Sequence, residues 1–144
     1  MAGEERLDEG EAIDRLNEAL VNQYRSALQY SITASSLLGI EAQAVGEKLT
    51  EYGDEELAGA RLLIEKIVSF GGEPTTEVAA LEFHGQAGEA LAWLIRCEEE
   101  GVEKLQAAIE PTGREGRSEA LEHMLEHLIM RKQRQIDFLK RSTG

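Results

Sequence analysis

Apolar residues return every third or fourth position through four separate blocks of this chain, and each return is broken by polar residues near its middle. Alternating steps of three and four keep one stripe on one face of an α-helix, the period of helices packed in a bundle. The first block runs from about Asp8 to Leu38, with a stripe of Ile13, Leu16, Leu20, Gln23, Ala27, Tyr30, Ala34 and Leu37. The second, from about Glu41 to Phe70, carries Val45, Leu49, Tyr52, Glu56, Gly59, Leu63, Ile67 and Phe70. The third, from about Gln86 to Glu110, carries Leu91, Leu94, Glu98, Val102, Leu105 and Ile109. The fourth carries Leu121, Leu125, Leu128, Lys132, Gln135 and Leu139. Four such stripes predict an all-α, antiparallel four-helix bundle, and a length of 144 residues predicts one domain spanning positions 1–144.

The punctuation agrees. Asp8 is placed to cap the first helix, with Glu11 completing a capping box. Gly39 reads as its left-handed end, and Gly71-Gly72 followed by Pro74 stops the second helix. Ser118 reads as the cap of the fourth, after a loop from Pro111 to Gly116. The connection from Gly71 to Gly85 is the long one. Extended, it reaches roughly 45–50 Å at about 3.3 Å per residue. That matches a helix of some 28 residues, about 42 Å at 1.5 Å per residue. The linker is therefore long enough to cross the whole bundle, and a partly helical stretch around Glu77–Phe83 would shorten it.

Composition narrows the partners. A net charge of −13 repels phosphate backbones, so nucleic acid is not expected. A single cysteine, Cys97, rules out an internal disulfide and points to the cytoplasm. No apolar run approaches a membrane span, and no signal segment is read at the N-terminus.

The interruptions carry the functional argument. If the stripes face one another, Gln23, Glu56, Glu98, Lys132 and Gln135 meet at one level inside the bundle, with Gly59 leaving a gap beside Glu56. Buried carboxylates are costly unless paired or bound to metal. Glutamates on facing helices are how carboxylate-bridged di-iron sites are built, with a Glu from each of two helices and Glu-x-x-His from each of the others. Three readings stay open: a metal-free polar network, a partial metal site on Glu56 and Glu98, and a register that leaves these residues solvated.

Short motifs now become recognisable. Leu16-Asn17-Glu18-Ala19-Leu20-Val21-Asn22-Gln23, continuing to Gln29-Tyr30, resembles the first-helix motif of the bacterioferritins, within the ferritin-like superfamily. Ile64-Glu65-Lys66-Ile67 with Gly71-Gly72-Glu73-Pro74 resembles that family's second-helix ending, and Ile136-Asp137-Phe138-Leu139 the end of its fourth helix. The resemblance covers roughly residues 12–140. It implies a ferritin-like bundle with a crossover between the second and third helices, iron as the metal to test, and self-association at least as a dimer.

Carried over position by position, the resemblance also implies loss. Glu56 and Glu98 fall on the family's second- and third-helix glutamates. Gln23 falls on the first-helix Glu, Gly59 on the second-helix His, and Lys132 and Gln135 on the fourth-helix Glu and His. Leu57 falls on the haem-ligating Met, so no haem is expected. The resulting expectation is Lys132 in place of the metal charge, pairing with Glu56 and Glu98 while Gln23 and Gln135 fill the remaining hydrogen bonds. Such a protein would have little or no ferroxidase activity. The alternatives are an active iron-storage ferroxidase using Glu56 and Glu98, and a non-catalytic helical interaction module.

Elsewhere the residues read plainly. His123 and His127, four apart on the fourth helix, could share a surface metal but sit among glutamates and read as solvated. Cys97 reads as a buried structural thiol, and His84 has no evident partner. Leu28, Ile32, Leu57, Trp93 and Met130 lie off the stripes as candidate oligomer contacts.

Overall fold

The computed structural model describes residues 7–110 and 116–143. Among these there are four helices and no strand: α1 (Glu9–Ser36), α2 (Ile40–Ser69), α3 (Ala87–Ile109) and α4 (Gly116–Thr143). The loop expected from Pro111 lies, up to residue 115, outside the described residues. No described helix is long and apolar enough to cross a membrane.

The helix ends follow local chemistry. Asp8 caps α1, its carboxylate accepting the Glu11 amide at 3.1 Å. The end of α2 is a Schellman turn. The Gly72 amide reaches back to the Ile67 carbonyl at 2.9 Å, the Gly71 amide to Val68 at 2.9 Å, and Gly71 takes φ +86°. Two expected caps differ. Leu37, in extended backbone, ends α1, and Gly39 instead starts α2 with φ 95° and ψ 172°. Helix α4 already begins at Gly116, so Ser118 lies inside its first turn, fully buried.

A short turn makes α1 and α2 antiparallel. From Gly72, whose backbone lies against Ile13 near the start of α1, the crossover runs back along α1. It has no helical stretch at residues 77–83. Instead its backbone is held by side chains of α1. Asn17 bonds Glu73 and Thr75, the Tyr24 hydroxyl donates to the Thr75 carbonyl, and the Gln29 amide pairs with both backbone groups of Glu82. Extended backbone needs such partners when it cannot bond to itself. The crossover delivers α3 to the far end, so α3 runs antiparallel to α1, and α4 returns parallel to α1. This is the long connection expected between the second and third helices.

The core divides in two. Leu16, Leu20, Leu63, Ile67, Leu105 and Leu125 belong to one buried cluster. Tyr30, Leu49, Tyr52, Leu91, Leu94 and Leu139 form the other. The interrupted middles of the four stripes lie between them.

Candidate functional site, a buried ion-pair layer

All four helices contribute to that layer. Gln23, Ser26 and Tyr30 come from α1, Glu56 from α2, Glu98 from α3, and Lys132 and Gln135 from α4. Each is at most 1% exposed. The register that would have left them in solvent is thereby excluded. The spacings explain the convergence: Gln23, Ser26 and Tyr30 stand at i, i+3 and i+7, and Lys132 and Gln135 at i and i+3, each set on one helix face.

Lys132 is the hub. Its ammonium donates to Glu56 Oε2 at 3.0 Å, to Glu98 Oε1 at 3.1 Å and to Ser26 Oγ at 3.2 Å, which uses all three protons. Ser26 in turn donates to Glu98 Oε1 at 2.5 Å. The Gln23 amide donates to the Glu56 carboxylate and to the Glu56 carbonyl, the latter at 2.8 Å. Two small residues make room. A Cβ on Gly101 would stand 3.3 Å from Lys132 Cε and Nζ. A Cβ on Gly59 would stand 2.8 Å from Gln23 Nε2 and 2.9 Å from Arg131 Nη2. The space beside Gly59 is thus filled by Gln23 and by Arg131, whose guanidinium donates to the Glu55 carbonyl at 2.7 Å.

Gln135 departs from expectation. It does not bond Glu56 or Glu98; its amide donates to Glu55 Oε2 at 3.0 Å and its oxygen faces the Tyr30 hydroxyl at 3.5 Å. Ser26, not Gln135, completes the contacts of Glu98. Nor is every acceptor satisfied, since Glu56 Oε1 and Glu98 Oε2 are buried without a hydrogen-bond partner.

The electrostatics follow from two acids and one base in a dry interior. Burial opposes ionisation of Glu56, but the Lys132 charge and the bonds from Lys132 and Gln23 win and hold it below the usual carboxylate range. Glu98 is pushed up to about 7, first by burial and then by the negative charge of Glu56, with Lys132 only partly compensating. Burial works against the Lys132 charge, yet the two glutamates keep it protonated and above its ordinary value. Burial, then Glu98 and Glu56, raise the Tyr30 phenol well above its ordinary value.

An ammonium in contact with both carboxylates answers the charge a metal would answer. Dinuclear carboxylate centres need several anionic and imidazole donors around cations. Among the described residues no three His, Cys, Asp or Glu side chains gather as a metal-holding group. The layer is an internal ion pair, two carboxylates on one ammonium. The other sequence candidates lie elsewhere. His123 is exposed and faces Glu126 at 3.5 Å, and exposed His127 does not complete a metal-holding group with it. His84 does have partners, Glu82 at 2.8 Å and Glu89 at 3.8 Å. Cys97 is buried, and burial pushes its thiol up to about 11.

Sequence reasoning missed Ser26 and Gly101. Both had a signal: Ser26 is three residues beyond Gln23 on the same face, and Gly101 repeats in α3 the Glu-x-x-Gly spacing of Glu56 and Gly59 in α2.

Comparison with known proteins agrees with this architecture. A ferritin-like diiron-carboxylate protein from Bacillus anthracis superposes with a TM-score of 0.88 at 26% identity, over 95% of this chain and 98% of that one. The dodecameric thioferritin of Bacteroides fragilis, a bacterioferritin-related protein, gives 0.85 at 18% identity, over 95% of this chain and 86% of that one. The bacterioferritin of Rhodobacter capsulatus, with a metal-free dinuclear site and haem iron, gives 0.81 at 22% identity, over 93% and 84%. No curated protein matches the sequence. The model of the ferritin-like domain matches residues 13–143, nearly the whole length, and the chain belongs to that family.

Proposed function

We propose that this is a ferritin-like protein whose intrasubunit di-iron centre has given way to a Glu/Lys/Gln polar network, leaving little or no ferroxidase activity. The observation that carries the reading is the position of Lys132, 3.0 Å from Glu56 and 3.1 Å from Glu98. An ammonium there repels a cation and supplies the charge that a metal would otherwise supply. Gly59 supports it, because Gln23 and Arg131 fill the space where a ligand side chain on α2 would project.

A rival reading draws on the two unpartnered oxygens, Glu56 Oε1 and Glu98 Oε2, which are acceptors that iron could use. Metal analysis of the purified protein, before and after anaerobic Fe(II) loading, separates the two, with Lys132→Glu run alongside. The proposed reading expects no intrasubunit iron in the wild type and a gain in the variant. An iron pair already held by the wild type, with Fe(II) oxidation slowed by Glu56→Ala, establishes the rival.

The second part of the proposal is self-association. Leu28, Leu57 and Val78 are 45%, 44% and 43% exposed and line, with Tyr24, an apolar hollow of about 260 Å³ formed by α1, α2 and the crossover. An exposed apolar patch of this kind marks a contact surface. The Bacteroides fragilis relative is described as a dodecamer. Of the other candidate contacts, exposed Met130 remains available, whereas Trp93 is occupied within the chain, donating to Gln29 at 2.9 Å and flanked by Arg25 and Arg96.

A further inference from the structure

A second polar feature lies outside the buried layer. Near the start of α2 and the end of α4, Lys48, Arg134, Lys140 and Arg141 converge on one open cleft of about 690 Å³ with Tyr52 and Phe138. Asp137 is the single acid lining it. The chain as a whole has 28 acids and 15 bases, so four cations lining one cleft stand out, although Glu51 and Glu99 lie beside Lys48 and Lys140 and Glu55 lines the adjoining hollow with Arg134.

These cations are poorly neutralised. Arg134 and Arg141 are exposed, and neither has an ion pair or hydrogen bond among the described residues. Lys48 and Lys140 pair with Glu51 and Glu99 only at 3.5 Å, through half-exposed side chains, and such pairs are weak. The cleft also has an aromatic wall. Tyr52 and Phe138 meet edge to face at 5.6 Å, and the Lys48 ammonium stands 5.6 Å from the Tyr52 ring. Guanidinium forks match the oxygens of a phosphate two at a time, and lysines add point charge.

We propose that this cleft between α2 and α4 binds a phosphate-bearing ligand, held by Arg134 and Arg141 with Lys48 and Lys140 at its rim. Cations left unpaired in so acidic a chain are a standing attraction for a multivalent anion. The cleft is wide open to solvent, so a ligand there would be held chiefly by charge. The shared chemistry is the phosphate, either free or carried on an organic group that rests against the rings.

Calorimetric titration of the full chain with inorganic phosphate and with phenyl phosphate, at low ionic strength, tests this. Saturable binding of either is expected, weakening as salt is raised. The double variant Arg134→Gln/Arg141→Gln should lower the affinity about tenfold or more, since each loses charge-assisted hydrogen bonds. Circular dichroism should show the variant folded, because both side chains are at the surface. Lys48→Gln gives an independent second loss from the other helix. Equal affinity for the two probes assigns the cleft to free phosphate, and tighter phenyl phosphate assigns it to a phosphomonoester; both support the site. No saturable binding of either probe, or binding unchanged in both variants, overturns it.

Discussion

Removing the Lys132 side chain would leave Glu56 and Glu98 facing each other in a dry interior with no cation between them. Breaking a buried pair from one side costs about 3–5 kcal/mol, because the remaining charge is uncompensated. Lys132→Ala should destabilise the fold by that order in urea unfolding, and a loss under about 1 kcal/mol would show that the pair is solvated. The pH dependence has a definite sign. In the wild type the Glu98 carboxyl is raised from 4.5 to about 7, so the folded state holds its proton more tightly than the unfolded state does. That contribution is present below the ordinary carboxyl range and is lost as pH rises through about 7. Without the ammonium both carboxyls move up, and the window widens. The destabilisation by Lys132→Ala should therefore be smaller at about pH 5 than at about pH 8. Cys97 supplies a second residue-scale prediction. A thiol moved from 9.0 to about 11 and 1% exposed should resist alkylation. At mildly alkaline pH it holds roughly a hundredfold less thiolate than a free cysteine. Modification of Cys97 should be complete only after unfolding; rapid labelling of the folded chain would place the thiol at the surface.

Within the helices, glycine carries the argument. Gly101 lies inside α3, where alanine would ordinarily gain about 1 kcal/mol of helix propensity. A Cβ there meets Lys132 Cε and Nζ at 3.3 Å, and Lys132 is held by three hydrogen bonds that leave it little freedom to move. Gly101→Ala should thus destabilise the protein by about 1 kcal/mol net, the displaced ammonium costing more than the helix propensity gains. A more stable variant would mean that Lys132 has slack. The helices themselves were legible because periodicity and turn chemistry are local. The Schellman stop at Gly71-Gly72 and the Asp8 cap needed no tertiary information. The meeting of Glu56, Glu98 and Lys132 was legible too, since each interrupts a stripe at its middle. Partner choice was not. Gln135 shares a face with Lys132 yet reaches outward to Glu55, and Ser26, small and unremarkable in sequence, sits where it can bridge Lys132 and Glu98. Ser118 was misread because a good capping residue becomes an ordinary helical one when the helix starts two residues earlier.

On the scale of the whole bundle, the outer face of α1, α2 and the crossover carries an apolar hollow. Leu28, Leu57 and Val78 surround it, in a chain whose net charge is −13. Like charge opposes association of copies, so a stable contact has to gain its free energy from apolar area, at about 25 cal/mol per Å² removed from water. Interfaces that persist bury about 1,200–2,000 Å² in total, so this hollow would serve as the centre of a larger contact. Leu57 stands beside Glu56 on α2 but points the other way, 44% exposed against a fully buried neighbour. A charge at position 57 therefore disturbs the surface and spares the ion-pair layer. Leu57→Glu should leave thermal unfolding of the isolated chain nearly unchanged while shifting sedimentation velocity from the oligomer toward the monomer. Raised salt, which screens repulsion between acidic copies, should strengthen association of the wild type. A wild type that sediments as a monomer at every salt concentration, or an oligomer indifferent to Leu57→Glu, would remove this face from any role in assembly.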